Sequence, residues 1–177
     1  MRSFDELEAG WRASEPPSTS RGTVQLLVAR RGKGEHQVLP RAEITVEGGL
    51  GGDRWVEGSR PSRRRQITLM NVRAAELVAD GQPLHMPGDN VLVDLDLSTA
   101  VAPPGTRLRL GGVRLEVTDA PHTGCAKFEA RFGAEAMRWV NHKGHAERRL
   151  RGIHCRVLEG GTVTVGDPVT VEPPAAD

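Results

Sequence analysis

Short apolar runs, each closed by a glycine- or proline-rich turn, are the feature of this sequence that most limits its fold. The 177 residues include 21 glycines and 12 prolines. Ala42–Glu47 and Val113–Thr118 alternate apolar and polar residues, as half-buried strands do. Gly111-Gly112 before the second run predicts a hairpin. Many short strands and few helices favour a mainly β, barrel-like or sandwich fold in one domain.

The residue pattern predicts a short helix and linker over residues 1–20 and one domain over residues 21–173. The predicted strands are Thr23–Val28, Ala42–Glu47, Gln66–Met70, Val91–Val93, Thr106–Leu110, Val113–Thr118, Ile153–Leu158, Thr162–Val165 and Val169–Val171. The predicted helices are Phe4–Ala13, Val72–Val78 with Asn71 as its cap, and Cys125–Val140. The glycine-rich Gly48–Asp53 segment is predicted to be a loop.

Charge and hydropathy exclude several classes of function. The net charge is only +1, so no global field would recruit nucleic acid. No apolar stretch approaches the roughly 20 residues that a membrane span requires, and the charged Met1–Gly10 segment does not resemble a signal peptide. Two cysteines make no disulfide framework. We therefore expect a cytoplasmic protein, since free thiols persist in a reducing compartment.

Cys125 is the residue whose surroundings most favour chemistry. It follows a predicted strand and opens a predicted helix, where unpaired N–H groups and the helix dipole stabilise a thiolate. Lys127, Arg131 and His122 could add positive charge. A cysteine that only fills space at the junction is an equally acceptable interpretation. Cys155 differs, because Ile153, Cys155 and Val157 share one strand face and predict a buried core thiol.

Two further patterns have competing interpretations. His122-x-x-Cys125 and His142-x-x-His145 have spacings compatible with zinc, but exposed histidines are the simpler explanation. The arginine-rich segment 60–65 is either a phosphate site, because guanidinium groups converge well on anions, or a solvated loop. It includes Arg63, Arg64 and Arg65.

Several motifs, in this order, resemble a stand-alone MOSC domain, the module also found at the carboxyl end of molybdenum cofactor sulfurases. The resemblance extends from about Thr23 to Val171. The segments that carry it are Gly52-Asp53-Arg54-Trp55, Arg65–Asn71, Pro87–Val93, Pro104–Gly111, Leu115–Thr118, His122–Phe128 with Arg131-Phe132-Gly133, Arg151-Gly152-Ile153, Val157–Val163 and Gly166–Val169.

The resemblance implies a β-barrel-like MOSC fold with a few short helices and binding of the molybdenum cofactor (molybdopterin). In such proteins one cysteine ligates molybdenum or carries sulfur, and Cys125 matches it. Lys127 and His122 would tune the thiol. The candidate cofactor ligands are Arg54, Arg63, Arg64, Arg65, Asn90 and Arg131. Where many members have Gly-Glu-Asn-Leu, this chain has Asp89 before Asn90.

Three hypotheses follow from these residues. The first is a molybdenum-dependent protein that reduces N-hydroxylated compounds, with electrons from a separate electron-transfer partner. The second is a non-catalytic carrier that receives sulfur or cofactor from a donor protein. The third is a binding module for another anionic ligand, with a structural Cys125. The printed sequence contains no pyridoxal-phosphate or electron-transfer domain, so the first two hypotheses need partner proteins.

Overall fold

The computed structural model describes residues 1–59 and 61–172. Arg60, in the arginine-rich segment, and Pro173, the expected end of the domain, lie outside the described residues. The helices are α1 (Phe4–Ala13), α2 (Val72–Ala79) and α3 (Ala126–Val140). The strands are β1 (Arg21–Arg30), β2 (His36–Leu39), β3 (Arg41–Thr45), β4 (Gly49–Leu50), β5 (Ile67–Asn71), β6 (Val91–Val93), β7 (Arg107–Leu110), β8 (Val113–Val117), β9 (Ile153–Glu159), β10 (Gly161–Thr164) and β11 (Pro168–Val171). Short 3-10 turns cover Arg54–Glu57, Arg63–Arg65 and Lys143–Arg148.

Seven strands close into a barrel. Their order is β1-β6-β5-β9-β8-β7-β11, and β11 pairs back with β1. The β5–β6 pair is parallel and the other pairs are antiparallel. Strand β2 extends the sheet beyond β1, while β10, β3 and β4 form a smaller sheet. Closure pairs each of the seven barrel strands on both sides and confirms the predicted β-barrel fold with a few short helices.

The barrel interior is filled by the alternating apolar residues that predicted the strands. Val113, Leu115 and Val117 of β8 are fully buried, whereas the residues between them are half-buried. Leu110 pairs with Val113 across Gly111-Gly112, which confirms the predicted hairpin. Cys155 is also fully buried among these residues, and burial raises the pKa of its thiol well above the ordinary value. The prediction of a core cysteine is therefore confirmed.

The three helices cover one outer face of the barrel and create a second core. Every residue of β5 and β6 is buried, as expected for strands with packed layers on both faces. Leu7 of α1 joins Phe128 and Trp139 of α3 in this second core, and the indole of Trp139 donates to Glu8 of α1 at 3.2 Å. Helix α1 therefore packs on the domain. None of the described helices is long and apolar enough to cross a bilayer.

Three local features differ from the sequence prediction. The Gly48–Asp53 loop contains the two-residue strand β4. Strand β2 was not predicted, because its half-exposed edge position selects no apolar alternation. Helix α3 is interrupted at Gly133, whose φ of 84° is favourable only for glycine. The continuous apolar periodicity on both sides of Gly133 hides this break in the sequence.

Candidate functional site

Cys125 occupies the amino-terminal cap position of α3, and a clamp at the other end of the helix holds it there. Gly124 N–H donates to Asn141 Oδ1 at 2.8 Å, and Asn141 Nδ2 donates to Gly124 O at 3.1 Å. A Cβ atom at Gly124 would lie 3.1 Å from Val140 Cγ2, so any larger residue would push the Val140 side chain away by a few tenths of an ångström. The segment before the thiol is therefore fixed against the carboxyl end of α3.

The Cys125 thiol is exposed, and its pKa lies below the ordinary value. The largest lowering effect is the backbone N–H of Phe128, followed by that of Lys127, and the charges of Arg151 and Lys127 add to it. Partial burial opposes these effects. The sulfur makes no side-chain capping hydrogen bond, and the N–H groups near it stabilise the thiolate form. Cys125 is thus an accessible nucleophile and a soft ligand.

A basic cavity of about 430 Å³ opens at Cys125. It brings together four residues predicted from the sequence, namely Cys125, Arg54, Lys127 and Arg131. The remaining described residues of its lining are Arg30, Lys33, Gly34, His36, Pro87, Gly88, Phe128, Ala130 and Arg151. No carboxylate is among the lining residues of the described chain. The cavity therefore pairs a thiol of lowered pKa with an excess of positive charge, which suits a soft-metal complex that carries anionic groups.

Arg30 was not recognised from the sequence, and a buried network fixes it in the cavity wall. Asp53 is only 3% exposed and accepts from the backbone N–H, Nε and Nη2 of Arg30 at 2.8–2.9 Å. Asn90 donates to the same carboxylate at 2.9 Å, and its Oδ1 accepts from the Thr68 hydroxyl. Asn90 is thus fully buried behind the wall. Burial alone would raise the pKa of Asp53, but the hydrogen bonds and charge of Arg30 outweigh that effect and hold the pKa below the ordinary value.

Arg151 is the second cavity residue whose place near Cys125 is not evident from the sequence. It is 9% exposed and donates to Asp89, whose side chain is fully buried, and to Pro87 O. Its guanidinium carbon lies 5.2 Å from the centre of the Phe128 ring, which is cation–π geometry. Arg151-Gly152-Ile153 was part of the motif set, and Asp89 stood where the resemblance had a glutamate. Their pairing was not visible because 62 residues separate them.

The other predicted ligands lie outside the Cys125 cavity. Arg63 donates to Val157 O at 2.6 Å and Arg64 pairs with Asp119 at 2.7 Å. Arg65 lies near His154, and its charge contributes, after burial, to lowering the pKa of His154. His122 lines a different cavity, with its side chain 10% exposed. Burial, then the charges of Arg151 and His154, push the pKa of His122 well below the ordinary value.

The structure gives little support for a zinc site at either histidine motif, His122-x-x-Cys125 or His142-x-x-His145. The described residues contain no group of three or more histidine, cysteine or acidic side chains arranged to hold a metal ion. The expectation that these histidines are exposed is wrong for His122, whose side chain is only 10% exposed, and for His145, which is buried and hydrogen-bonds Trp139 O. His142 is exposed, as expected.

The basic surface continues beyond the Cys125 cavity. Arg30 and Arg54 also line an adjoining depression of about 440 Å³, together with Trp55, Glu57 and Gly58. Trp55 is held by its indole N–H, which donates to Ser62 O at 3.2 Å. Two arginines therefore face both spaces, so an elongated anionic ligand could contact them while its other end reaches Cys125.

Comparisons with known proteins agree with this architecture. The sequence profile of the MOSC domain matches residues 70–170, and the chain belongs to the MOSC domain family. The YuaD protein from Bacillus subtilis superposes with a TM-score of 0.65 at 19% identity, covering 88% of this chain and 97% of YuaD.

YiiM from Escherichia coli superposes with a TM-score of 0.57 at 18% identity, covering 88% of this chain and 72% of YiiM. YiiM from Geobacillus stearothermophilus superposes with a TM-score of 0.58 at 14% identity, covering 86% and 75%. No curated protein sequence matches. The family is associated with binding of the molybdenum cofactor.

Proposed function

We propose that this chain binds the molybdenum cofactor in the Cys125 cavity and that the Cys125 thiolate ligates molybdenum. The observation that carries the proposal is the meeting of an exposed, pKa-lowered thiol with Arg54, Arg131 and Lys127 in one cavity free of carboxylates among its described lining. A soft thiolate suits molybdenum, and the basic side chains suit a phosphate-bearing pterin.

The shape of the wall fits such a ligand. Gly88 lines the cavity with a φ of 80°, and a side chain there would lie 3.0 Å from the His36 ring. The backbone can therefore approach a bound ring system closely at this point. Arg54 would contact the anionic tail, since it also faces the adjoining depression. Asp53, with Asn90 behind it, would keep Arg30 oriented.

We propose reduction of N-hydroxylated compounds as the reaction. When bound, the cofactor would supply two-electron redox chemistry, and cleavage of an N–O bond would need two electrons from a separate electron-transfer protein and two protons to release water. The residues of this chain would hold the cofactor and keep Cys125 deprotonated. We place this activity in the cytoplasm, where reducing conditions preserve an exposed thiol.

The exposure of Cys125 also favours a second candidate, a sulfur carrier. Here the Cys125 thiolate would attack the outer sulfur of a persulfide on a donor protein. That sulfur moves to Cys125 as a persulfide, and the cysteine of the donor leaves as a thiol. Incubation with a cysteine desulfurase would then add the mass of one sulfur to the wild type but not to Cys125→Ser.

Pterin content tests the proposed cofactor site. The protein is purified anaerobically from a host that makes the cofactor, and the fluorescence of the released, oxidised pterin is measured. We expect Arg131→Gln and Arg54→Gln to lose most of the signal, because both side chains line the cavity. Arg64→Gln is the matched control, since its guanidinium pairs with Asp119 outside the cavity. Equal pterin content in all four proteins would contradict the proposal.

A further inference from the structure

His36 is a titratable residue of the Cys125 cavity that the proposed function leaves unused. It begins β2, and the β1–β2 hairpin pairs it with Arg30 in the cavity wall. The described lining otherwise contains only arginine, lysine and cysteine as titratable side chains. Arginine and lysine ordinarily release their protons only above about pH 10, and Cys125 is the proposed metal ligand. His36 is therefore the described lining residue best suited to exchange a proton near neutral pH.

A hydrogen bond fixes which nitrogen of the His36 ring carries the hydrogen in the neutral form. Nδ1 lies 2.8 Å from the backbone oxygen of His85. Because a carbonyl oxygen can only accept, Nδ1 is the donor in this bond. The neutral ring therefore has a free lone pair on Nε2, and the protonated ring gains a hydrogen there that it can donate.

The Nε2 atom of His36 is accessible to a ligand in the cavity. It has no hydrogen-bond partner among the described residues, and it does not belong to their buried polar atoms that lack a partner. Gly88 lines the cavity beside it. A Cβ atom at Gly88 would lie 3.2 Å from Nε2, so the absence of a side chain at this position leaves the nitrogen uncovered.

The charges around His36 make its protonation depend on what the cavity holds. Burial lowers its pKa most, and the charges of Arg131 on α3 and Arg30 on β1 lower it further. The backbone oxygen of His85 raises the pKa, while the His85 ring lowers it. The other charged or titratable residues of the described lining are Lys33, Arg54, Cys125, Lys127 and Arg151. An anionic ligand would offset the cations and raise the pKa of His36, so the ring would gain a proton when the ligand binds.

We propose that His36 is the proton donor of the Cys125 cavity and that its Nε2 protonates the hydroxyl oxygen of an N-hydroxylated substrate. This inference rests on the proposed function. Reduction of a hydroxylamine to an amine and water consumes two protons and two electrons, and the electron-transfer partner supplies the electrons. His36 gives one proton to the oxygen as the N–O bond breaks and water leaves. Solvent supplies the second proton to the nitrogen and then reprotonates His36.

The response of His36 to an anion is measured without the cofactor. Protein from a host that cannot make the cofactor is titrated from about pH 8 to 5 in sulfate or in chloride at equal ionic strength. The ring signal of His36 is followed by ¹H–¹³C NMR and identified by its loss in His36→Gln. We expect sulfate to raise the pKa of His36 by about 0.5 to 1. An unchanged pKa in sulfate would overturn the proposal.

Paired variants test the origin of this response. Arg131→Gln should raise the pKa of His36 already in chloride, because it removes the cation with the largest effect on the ring. Arg64→Gln is the matched control, since its guanidinium pairs with Asp119 outside the cavity and should leave the His36 signal unchanged. Equal effects of the two variants would refute the electrostatic coupling between the cavity and His36.

Rate measurements on the loaded protein test the proton transfer itself. Phenylhydroxylamine is the substrate, and reduced methyl viologen supplies the electrons in place of a partner protein. We expect His36→Gln to keep its molybdenum and pterin but to lower kcat by about 100-fold or more. The wild-type kcat should decrease as rising pH deprotonates His36, and His36→Gln should lose this decrease and be partly rescued by imidazole. His142→Gln, an exposed histidine outside the described lining of the cavity, should keep the wild-type kcat.

The outcomes separate this inference from the proposed function. A wild-type kcat and pH dependence in fully loaded His36→Gln would overturn the role of His36 and leave the proposed function standing. Loss of molybdenum or pterin from His36→Gln would also overturn it, because the residue would then hold the cofactor rather than supply protons. A loaded wild type that does not reduce phenylhydroxylamine would instead refute the proposed reaction, and the proton-donor role with it.

Discussion

Asp89→Asn tests whether the buried ion pair with Arg151 supports the Cys125 cavity. The Asp89 side chain is fully buried and that of Arg151 is 10% exposed. Removing one partner of a buried pair costs about 3–5 kcal/mol, because the other charge is left uncompensated. Arg151 would retain its bond to Pro87 O and its contact with Phe128, so we expect the lower end, about 3 kcal/mol.

Urea unfolding followed by tryptophan fluorescence measures this loss. With a slope of about 2 kcal/mol/M, a loss of about 3 kcal/mol lowers the midpoint by about 1.5 M. Asp119→Asn is the matched control, because its pair with Arg64 is exposed and should leave the midpoint unchanged. The double variant Asp89→Leu, Arg151→Met should recover most of the loss, since an apolar pair leaves no unpaired charge. A midpoint within about 0.3 M of wild type for Asp89→Asn would refute this reasoning.

Three further outcomes are expected. Leu7→Ala should lower the free energy of unfolding by about 2–5 kcal/mol, because Leu7 is 1% exposed in the core between the helices and the barrel. An unchanged urea midpoint would show that α1 does not contribute to the stability of the domain. His154 should account for up to about 3 kcal/mol of the stability that is lost as pH decreases from about 6.5 to about 4, because the folded protein keeps its pKa at about 4 and resists its protonation. His154→Gln should therefore make the pH dependence less steep, with the remaining slope due to groups such as His122, and an equal slope in both proteins would contradict the assignment. Iodoacetamide should modify the exposed Cys125 and spare the buried Cys155 in the folded protein, as followed by mass spectrometry. Asn141→Ala should slow the modification of Cys125, because it releases Gly124. Equal rates in the wild type and Asn141→Ala would contradict the positioning role of Asn141.

The sequence predicted the strands because they obey local rules, while the closed barrel was implied by the resemblance to MOSC domains. Val113, Leu115 and Val117 alternate with polar residues and end at glycine turns, and each of these signals acts within a few residues. The α3 cap position of Cys125 is also local, since a glycine-ended segment precedes a helical pattern. The same local reasoning could not detect Gly133, where the apolar periodicity continues through a backbone break.

The charged side chains of the cavity were harder to predict because their partners are distant in sequence. Arg63 and Arg64 stand out as a run, yet they bond Val157 O and Asp119. Arg30 is an ordinary strand-end residue until Asp53 fixes it from 23 positions away. Barrel closure brings such residues together, so only the complete topology shows which arginines face Cys125.

The molybdenum content of the purified protein tests the central claim most directly. Elemental mass spectrometry would compare the wild type, Cys125→Ser and Cys155→Ser, each purified anaerobically from a cofactor-competent host. We predict near-stoichiometric molybdenum in the wild type and its loss in Cys125→Ser, with Cys155→Ser retaining the metal because Cys155 is buried inside the barrel. Molybdenum that is absent from the wild type, or retained in Cys125→Ser, would contradict the assignment of Cys125 as its ligand.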